Sequence, residues 1–145
     1  MSLHVKLISY FQDELMAEIE KEIMGNKEFT VLRVTGEIIA DQIIDELTRF
    51  YKEEFTDNLI WDFSNANGKE LSVNDMHLII DHAKGFAHLR NNGKTAIVIS
   101  SSLGFGLGRM YDTLAQIADH PVKHSVFRSY DEAVAWIEST GADLI

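Results

Sequence analysis

At 145 residues, with 46% hydrophobic side chains, the chain is long enough for one domain burying about two-thirds of its unfolded surface, and too apolar for disorder. Thirteen basic residues against 23 acidic ones give a net charge of −10, which repels nucleic acid and anionic headgroups at long range, and no run of Lys and Arg offsets it. Cysteine is absent, so disulfides and thiolate chemistry are excluded and a cytoplasmic location is the expectation.

No apolar run approaches the roughly 20 residues that a membrane helix needs. Near the start, His4 and Lys6 interrupt Leu3, Val5, Leu7 and Ile8, a stretch too short and polar for a secretion signal. The alternation Leu3-Val5-Leu7 reads as an edge strand. From Ser9 to Met24, Phe11, Leu15, Ile19 and Ile23 recur at four-residue spacing among acidic residues, which predicts an amphipathic helix stopped by Gly25. Within a single domain over 1–145, residues 1–25 read as an N-terminal extension or a packing element. Phe29–Thr35 is a predicted strand closed by Gly36. Ala40–Phe55 carries Ile43, Ile44, Leu47, Phe50 and Tyr51 at helical spacing.

The stretch from Asn58 to Ser72 organises the rest. Leu59-Ile60-Trp61-Asp62-Phe63 is short, aromatic and bounded by turn residues, as suits a buried strand. It runs through Asn67, Gly68 and Lys69 to Ser72, which with Asp75 makes a capping box that opens the next helix. There Met76, Ile79, Ile80, Ala83, Phe86 and Ala87 form the apolar face; His77, Asp81, Lys84 and His88 line the polar one. After Asn91-Asn92-Gly93 comes the continuous apolar run Thr95–Ile99, an interior parallel strand. Ser100-Ser101-Ser102 and glycines 104, 106 and 108 lead into a helix with Leu107, Met110, Tyr111, Leu114 and Ile117 expected inward. It stops near His120, ahead of Pro121. Val122–Arg128 is the last strand. Ser129 and Glu132 form a second capping box, opening a short helix that ends before Gly141. Strands and helices alternate four times after Gly25, so the fold class is α/β: a mostly parallel, mixed sheet with packed helices. Right-handed crossovers place the loops after Phe63 and Ile99 at the same sheet edge.

The run Val126-Phe127-Arg128-Ser129-Tyr130-Asp131-Glu132-Ala133-Val134-Ala135-Trp136-Ile137 resembles the closing strand, helix cap and Ala-x-Ala-Trp ending of the SpoIIAA-like branch of the STAS superfamily. Val34-Thr35-Gly36-Glu37-Ile38 resembles that family's opening strand and turn, and Ile60-Trp61-Asp62-Phe63 its central strand. The resemblance covers roughly Phe29 to Ser139. It implies a sheet with packed helices and no catalytic machinery. In STAS proteins that antagonise anti-sigma factors, a serine opening the second helix is phosphorylated within an Asp-Ser-Ser-Gly-like string. Glu70-Leu71-Ser72-Val73 stands there in this chain, keeping one serine and losing the aspartate, the second serine and the glycine. SpoIIAA-like members also resemble Sec14-type lipid-binding domains, which implies an apolar ligand or peripheral membrane contact.

Ser72 is thus either a phosphorylation site or an ordinary cap worth about 1 kcal/mol. Ser100, Ser101, Ser102, Gly104, Phe105, Gly106, Leu107 and Arg109 form the candidate ligand-binding segment: either a lid over an apolar pocket with an anion-holding helix start, or a mobile turn that lets strand and helix pack closely. Its Gly-x-Gly-x-Gly spacing is not a dinucleotide fingerprint. His77, Asp81 and His88 read as a solvated face. His120 and His124 have metal-like spacing, but Pro121 interrupts the helix such a pair needs. No serine sits in Gly-x-Ser-x-Gly, so no catalytic residue, cofactor or metal is nominated. The leading expectation is a non-catalytic domain binding a small apolar ligand or lipid. The alternative is a regulatory module docking a protein partner, with Ser72 as its switch. A second copy of the chain stays open as a partner; nucleic acid does not.

Overall fold

The computed structural model describes residues 17–25 and 28–139. Five strands form one sheet in the order β1-β2-β3-β4-β5: Glu18–Met24, Phe29–Glu37, Asn58–Asn67, Lys94–Val98 and Lys123–Phe127. β2 to β5 are parallel, and β1 runs antiparallel along the edge of β2, pairing Ile19 with Val34 and Met24 with Phe29. The helices are α1 Ala40–Lys52, α2 Val73–Ala87, α3 Ser102–Ile117 and α4 Tyr130–Glu138. No helix among the described residues is long and apolar enough to cross a membrane.

Because β2 to β5 lie side by side in chain order, right-handed crossovers put every connecting helix on the same side of the sheet. On that side Leu32, Val34, Leu59 and Trp61 pack with Ile43, Leu47 and Phe50 of α1 and Ile79 and Ala83 of α2. α4 follows the last strand and covers the opposite face, where Ala133 and Ile137 close over Val31, Ile60, Ala96 and Val98. Lys94 at the start of β4 reaches across to the end of α4, donating from Nζ to the carbonyls of Trp136 at 2.8 Å and Ser139 at 2.8 Å. Those are carbonyls a helix end leaves without intrahelical partners.

Three expectations fail. Residues 18–24 are a strand, not the end of a helix. A spacing of four is even, so Ile19 and Ile23 share a face under the strand period of two as well as under 3.6. The discriminating pattern is Glu18, Glu20 and Glu22 alternating with Ile19, Lys21 and Ile23. Arg33 on the neighbouring strand reads that alternation: its Nη1 lies 2.7 Å from Glu22 and 3.5 Å from Glu20. On the other face Ala17 and Ile19 join the core, and Lys21 donates to the Glu54 carbonyl. The rest of that expected helix, the Leu3-Val5-Leu7 strand and Gly141 lie outside the described residues. Second, Ser102 to Arg109 is not a mobile turn: it is the first half of α3, capped by Ser101, whose Oγ accepts from the Gly104 N–H at 3.0 Å.

Gly104 and Gly108 are there for close approach. A Cβ on Gly104 would stand 2.5 Å from Ile99 Cγ2, and one on Gly108 would stand 2.9 Å from Ile99 Cδ1 and 3.0 Å from Val126. With Ala115 they make the face on which α3 sits down. The large apolar stripe is therefore turned outward, contrary to the inward placement expected of Met110 and Ile117, which are 39% and 76% exposed.

Candidate functional site

Parallel strands deliver their chains to the same edge, where β3 leads to α2 and β4 to α3. β3 bends on the way. Arg33 pairs with Asp62 and Thr35 with Asn65, so β3 carries one residue more than β2 over this stretch. Asp62 accepts from the Ser64 N–H and hydroxyl across the bulge. Phe63 stacks on Trp61, with ring centroids 5.4 Å apart and planes 4° from parallel.

Between this side of the sheet and α1 to α3 lies a cavity of about 470 Å³, in the range of small-molecule sites. Leu47, Trp61, Phe63, Ile79, Ile97 and Leu107 make its walls; Gly68, Leu71, Ser101 and Leu103 rim it at the carboxyl edge of the sheet. Leu103 is 74% exposed, so the cavity opens there. Its far end, at the amino edge, is polar: Arg90, Thr95, Tyr111, His120 and His124 all line it.

Arg90 closes the 3₁₀ turn His88–Arg90 after α2 and is 2% exposed. Its guanidinium donates to the carbonyls of Asp57 (2.9 Å) and Lys94 (2.7 Å) and to Thr95 Oγ1 (2.8 Å). Those bonds staple the entries to β3 and β4. Burial disfavours its charge and lowers its pKa, against the raising influence of the adjoining Tyr51 phenol. Burial likewise raises the pKa of Tyr111. His120 and His124 meet edge to face, with ring centroids 4.7 Å apart. Burial, then the neighbouring Arg90, pushes His120 down to about 4. Burial, then His120 and Arg90, pushes His124 down to about 3. Both rings are neutral at pH 7.

Of the residues singled out by sequence, Ser101, Gly104 and Leu107 line the cavity. Ser100, Ser102, Gly106 and Arg109 are exposed and outside it, and Phe105 packs its ring under Arg128 at 4.3 Å. Ser100 donates to the Ser64 carbonyl, tying the β3 and β4 ends together. Ser72 is an exposed cap one residue beyond the rim; its Oγ accepts from the Asp75 N–H, and Asp75 accepts from the Ser72 N–H, both at 3.0 Å. His77, Asp81 and His88 are exposed. Among the described residues no group of three or more histidines and carboxylates could hold a metal ion. Sequence reasoning missed Arg90 entirely, because its acceptors are backbone and hydroxyl oxygens that leave no charge pattern, and one of them, the Asp57 carbonyl, comes from 33 residues away. It set His120 and His124 aside as a broken helical pair, although the turn at Pro121 brings the rings into contact without a helix.

The mixed sheet in order β1 to β5, with three helices on one face and one on the other, is matched by a solved structure. An anti-sigma factor antagonist from Mycobacterium paratuberculosis superposes with a TM-score of 0.54 at 13% identity, over 83% of this chain and 95% of that one. The fold is the SpoIIAA-like STAS fold. A second structure, the STAS domain of an antisigma-factor antagonist from Rhodobacter sphaeroides, aligns with a TM-score of 0.39 at 15% identity, over 60% of this chain and 88% of that one. No family model and no curated protein sequence matches the chain. On this sheet the Ser72 cap follows Leu71, which shares the cavity rim with Leu103.

Proposed function

We propose that the chain is a non-catalytic regulatory module that docks a protein partner of the anti-sigma-factor class. The observation that carries this reading is the outward stripe of α3. Leu103, Met110 and Ile117 recur at intervals of seven and are 74%, 39% and 76% exposed, with Val73 at the start of α2 a further 49% exposed. A run of large apolar side chains along one helix face is the pattern that receives a partner helix or groove. Leu103 at its upper end lines the same cavity rim as Leu71, the residue before Ser72, and Ser72 stands at the position that is phosphorylated in the proteins whose motifs this chain resembles. The fold neighbour's description as an anti-sigma factor antagonist supports the same class of partner. Docking takes first place on these two observations. The cavity favours ligand binding as a second reading.

Titration calorimetry against purified anti-sigma factors of the source organism tests the proposal. One of them is expected to bind at a one-to-one ratio, and Leu103→Asp to weaken it by about tenfold or more, roughly 1.4 kcal/mol. Aspartate is as good an N-cap as serine, so Ser72→Asp preserves the fold and reports charge alone. It is expected to weaken binding, whereas Ser72→Ala leaves it close to wild type. Absence of binding to every anti-sigma factor, or equal affinity for all variants, rejects the proposal. A sedimenting dimer that Leu103→Asp dissociates would assign the stripe to a second copy instead.

A further inference from the structure

The far end of the cavity holds a buried cation that makes no ion pair within 4 Å among the described residues. Arg90 is 2% exposed, and the oxygens it bonds are neutral ones, those of Asp57, Lys94 and Thr95 and the Tyr51 phenol, with the Asp57 carboxylate acting on it only from beyond ion-pair distance. A guanidinium carries five N–H donors, more than those acceptors take up. Beside it, the Val122 N–H donates to His120 Nδ1 at 3.1 Å. The neutral His120 ring must therefore carry its proton on Nε2. That Nε2–H is buried without an acceptor, and His124 Nδ1 is buried without a partner. Unpaired polar atoms of this kind are uncommon in folded proteins and mark a missing ligand, ion or water.

Water alone does not suit the space. At about 30 Å³ each, on the order of fifteen waters would fill it, yet most of its wall is apolar. An apolar body with one compact anionic head matches both halves. Its head sits at the amino edge and its tail points to Leu103. We propose that the cavity binds a single hydrocarbon chain ending in a carboxylate, a free fatty acid, with the carboxylate between Arg90 and the His120 Nε2–H. A charge-assisted bond to a guanidinium is strong where both ions leave water and the partner is already fixed in place. The bound anion would also oppose the effect of Arg90 on both histidines. This inference is separate from docking: loss of partner binding in Leu103→Asp leaves it standing.

The test uses delipidated full chain titrated with dodecanoate, 1-dodecanol and dodecyl phosphate, followed by calorimetry and by the fluorescence of Trp61 in the cavity wall. Dodecanoate is expected to bind one-to-one, at least about tenfold tighter than the alcohol and the phosphate. Histidine ring resonances should show His120 and His124 titrating at higher pH when it is bound. Arg90 also staples two turns, so its removal risks the fold. His120→Phe is the working variant, expected to keep native circular dichroism and cut the preference for acid over alcohol to about threefold or less. Equal or tighter binding of the alcohol or the phosphate, no saturable binding at all, unmoved histidine resonances, or an undiminished preference in His120→Phe would each overturn the proposal.

Discussion

His120 and His124 make stability depend on acid. Their folded values, about 4 and about 3, lie below the ordinary 6.5. A depressed folded value means that the contribution is present in full above 6.5 and is lost as pH falls through the folded value, because the unfolded chain takes up the protons first. The wild-type urea midpoint is therefore expected to fall between pH 6.5 and 4 more steeply than that of His124→Phe. The phenyl ring keeps the edge contact with Tyr111, whose centroid lies 5.5 Å away, and cannot be protonated. Parallel midpoint curves for the two proteins would show that His124 carries no such linkage.

Between single residues and the sheet, α3 shows what small side chains decide. Gly104→Ala and Gly108→Ala drive a methyl into Ile99, or into Ile99 and Val126, and each is expected to cost about 1–3 kcal/mol as an overpacked contact. Gly106 meets nothing within 4 Å, so Gly106→Ala gains helix propensity, about 0.5–1 kcal/mol of stability. Denaturant unfolding of the three variants checks the pattern; three gains would mean that this segment does not lie against the sheet. The same helix explains where sequence was legible. The Ser72–Asp75 and Ser129–Glu132 caps and the continuous run of β4 are local signals, and all of them hold. A triple-glycine stretch reads locally as a loop, and only the nearness of Ile99 and Val126 reveals it as a seat for a helix. β1 was hidden by arithmetic, since four-residue spacing serves either period. The polar end of the cavity was hidden by distance: Arg90 meets the Asp57 carbonyl from 33 residues away.

Across the whole molecule the two faces of the sheet are packed to different tightness, although both are lined by the same kinds of side chain. Three crossover helices share one face and leave the cavity beneath them; α4 alone seals the other. Ala83 of α2 and Ala133 of α4 are matched probes, 5% and 0% exposed, each on a helix facing the sheet. Ala83 borders the cavity, so the added bulk of Ala83→Leu has space to occupy and buries new apolar surface, worth about 0.8 kcal/mol per methylene where it fits without strain. Ala133 closes on Val31, Ile60 and Val98, where the same bulk must displace neighbours at a cost of about 1–3 kcal/mol. Ala83→Leu is accordingly expected to match or exceed wild-type stability while weakening dodecanoate binding, and Ala133→Leu to unfold at lower urea with its dodecanoate affinity unchanged. Equal destabilisation by the two substitutions would mean that the helix-covered face is as full as the other, leaving no room for an acyl chain.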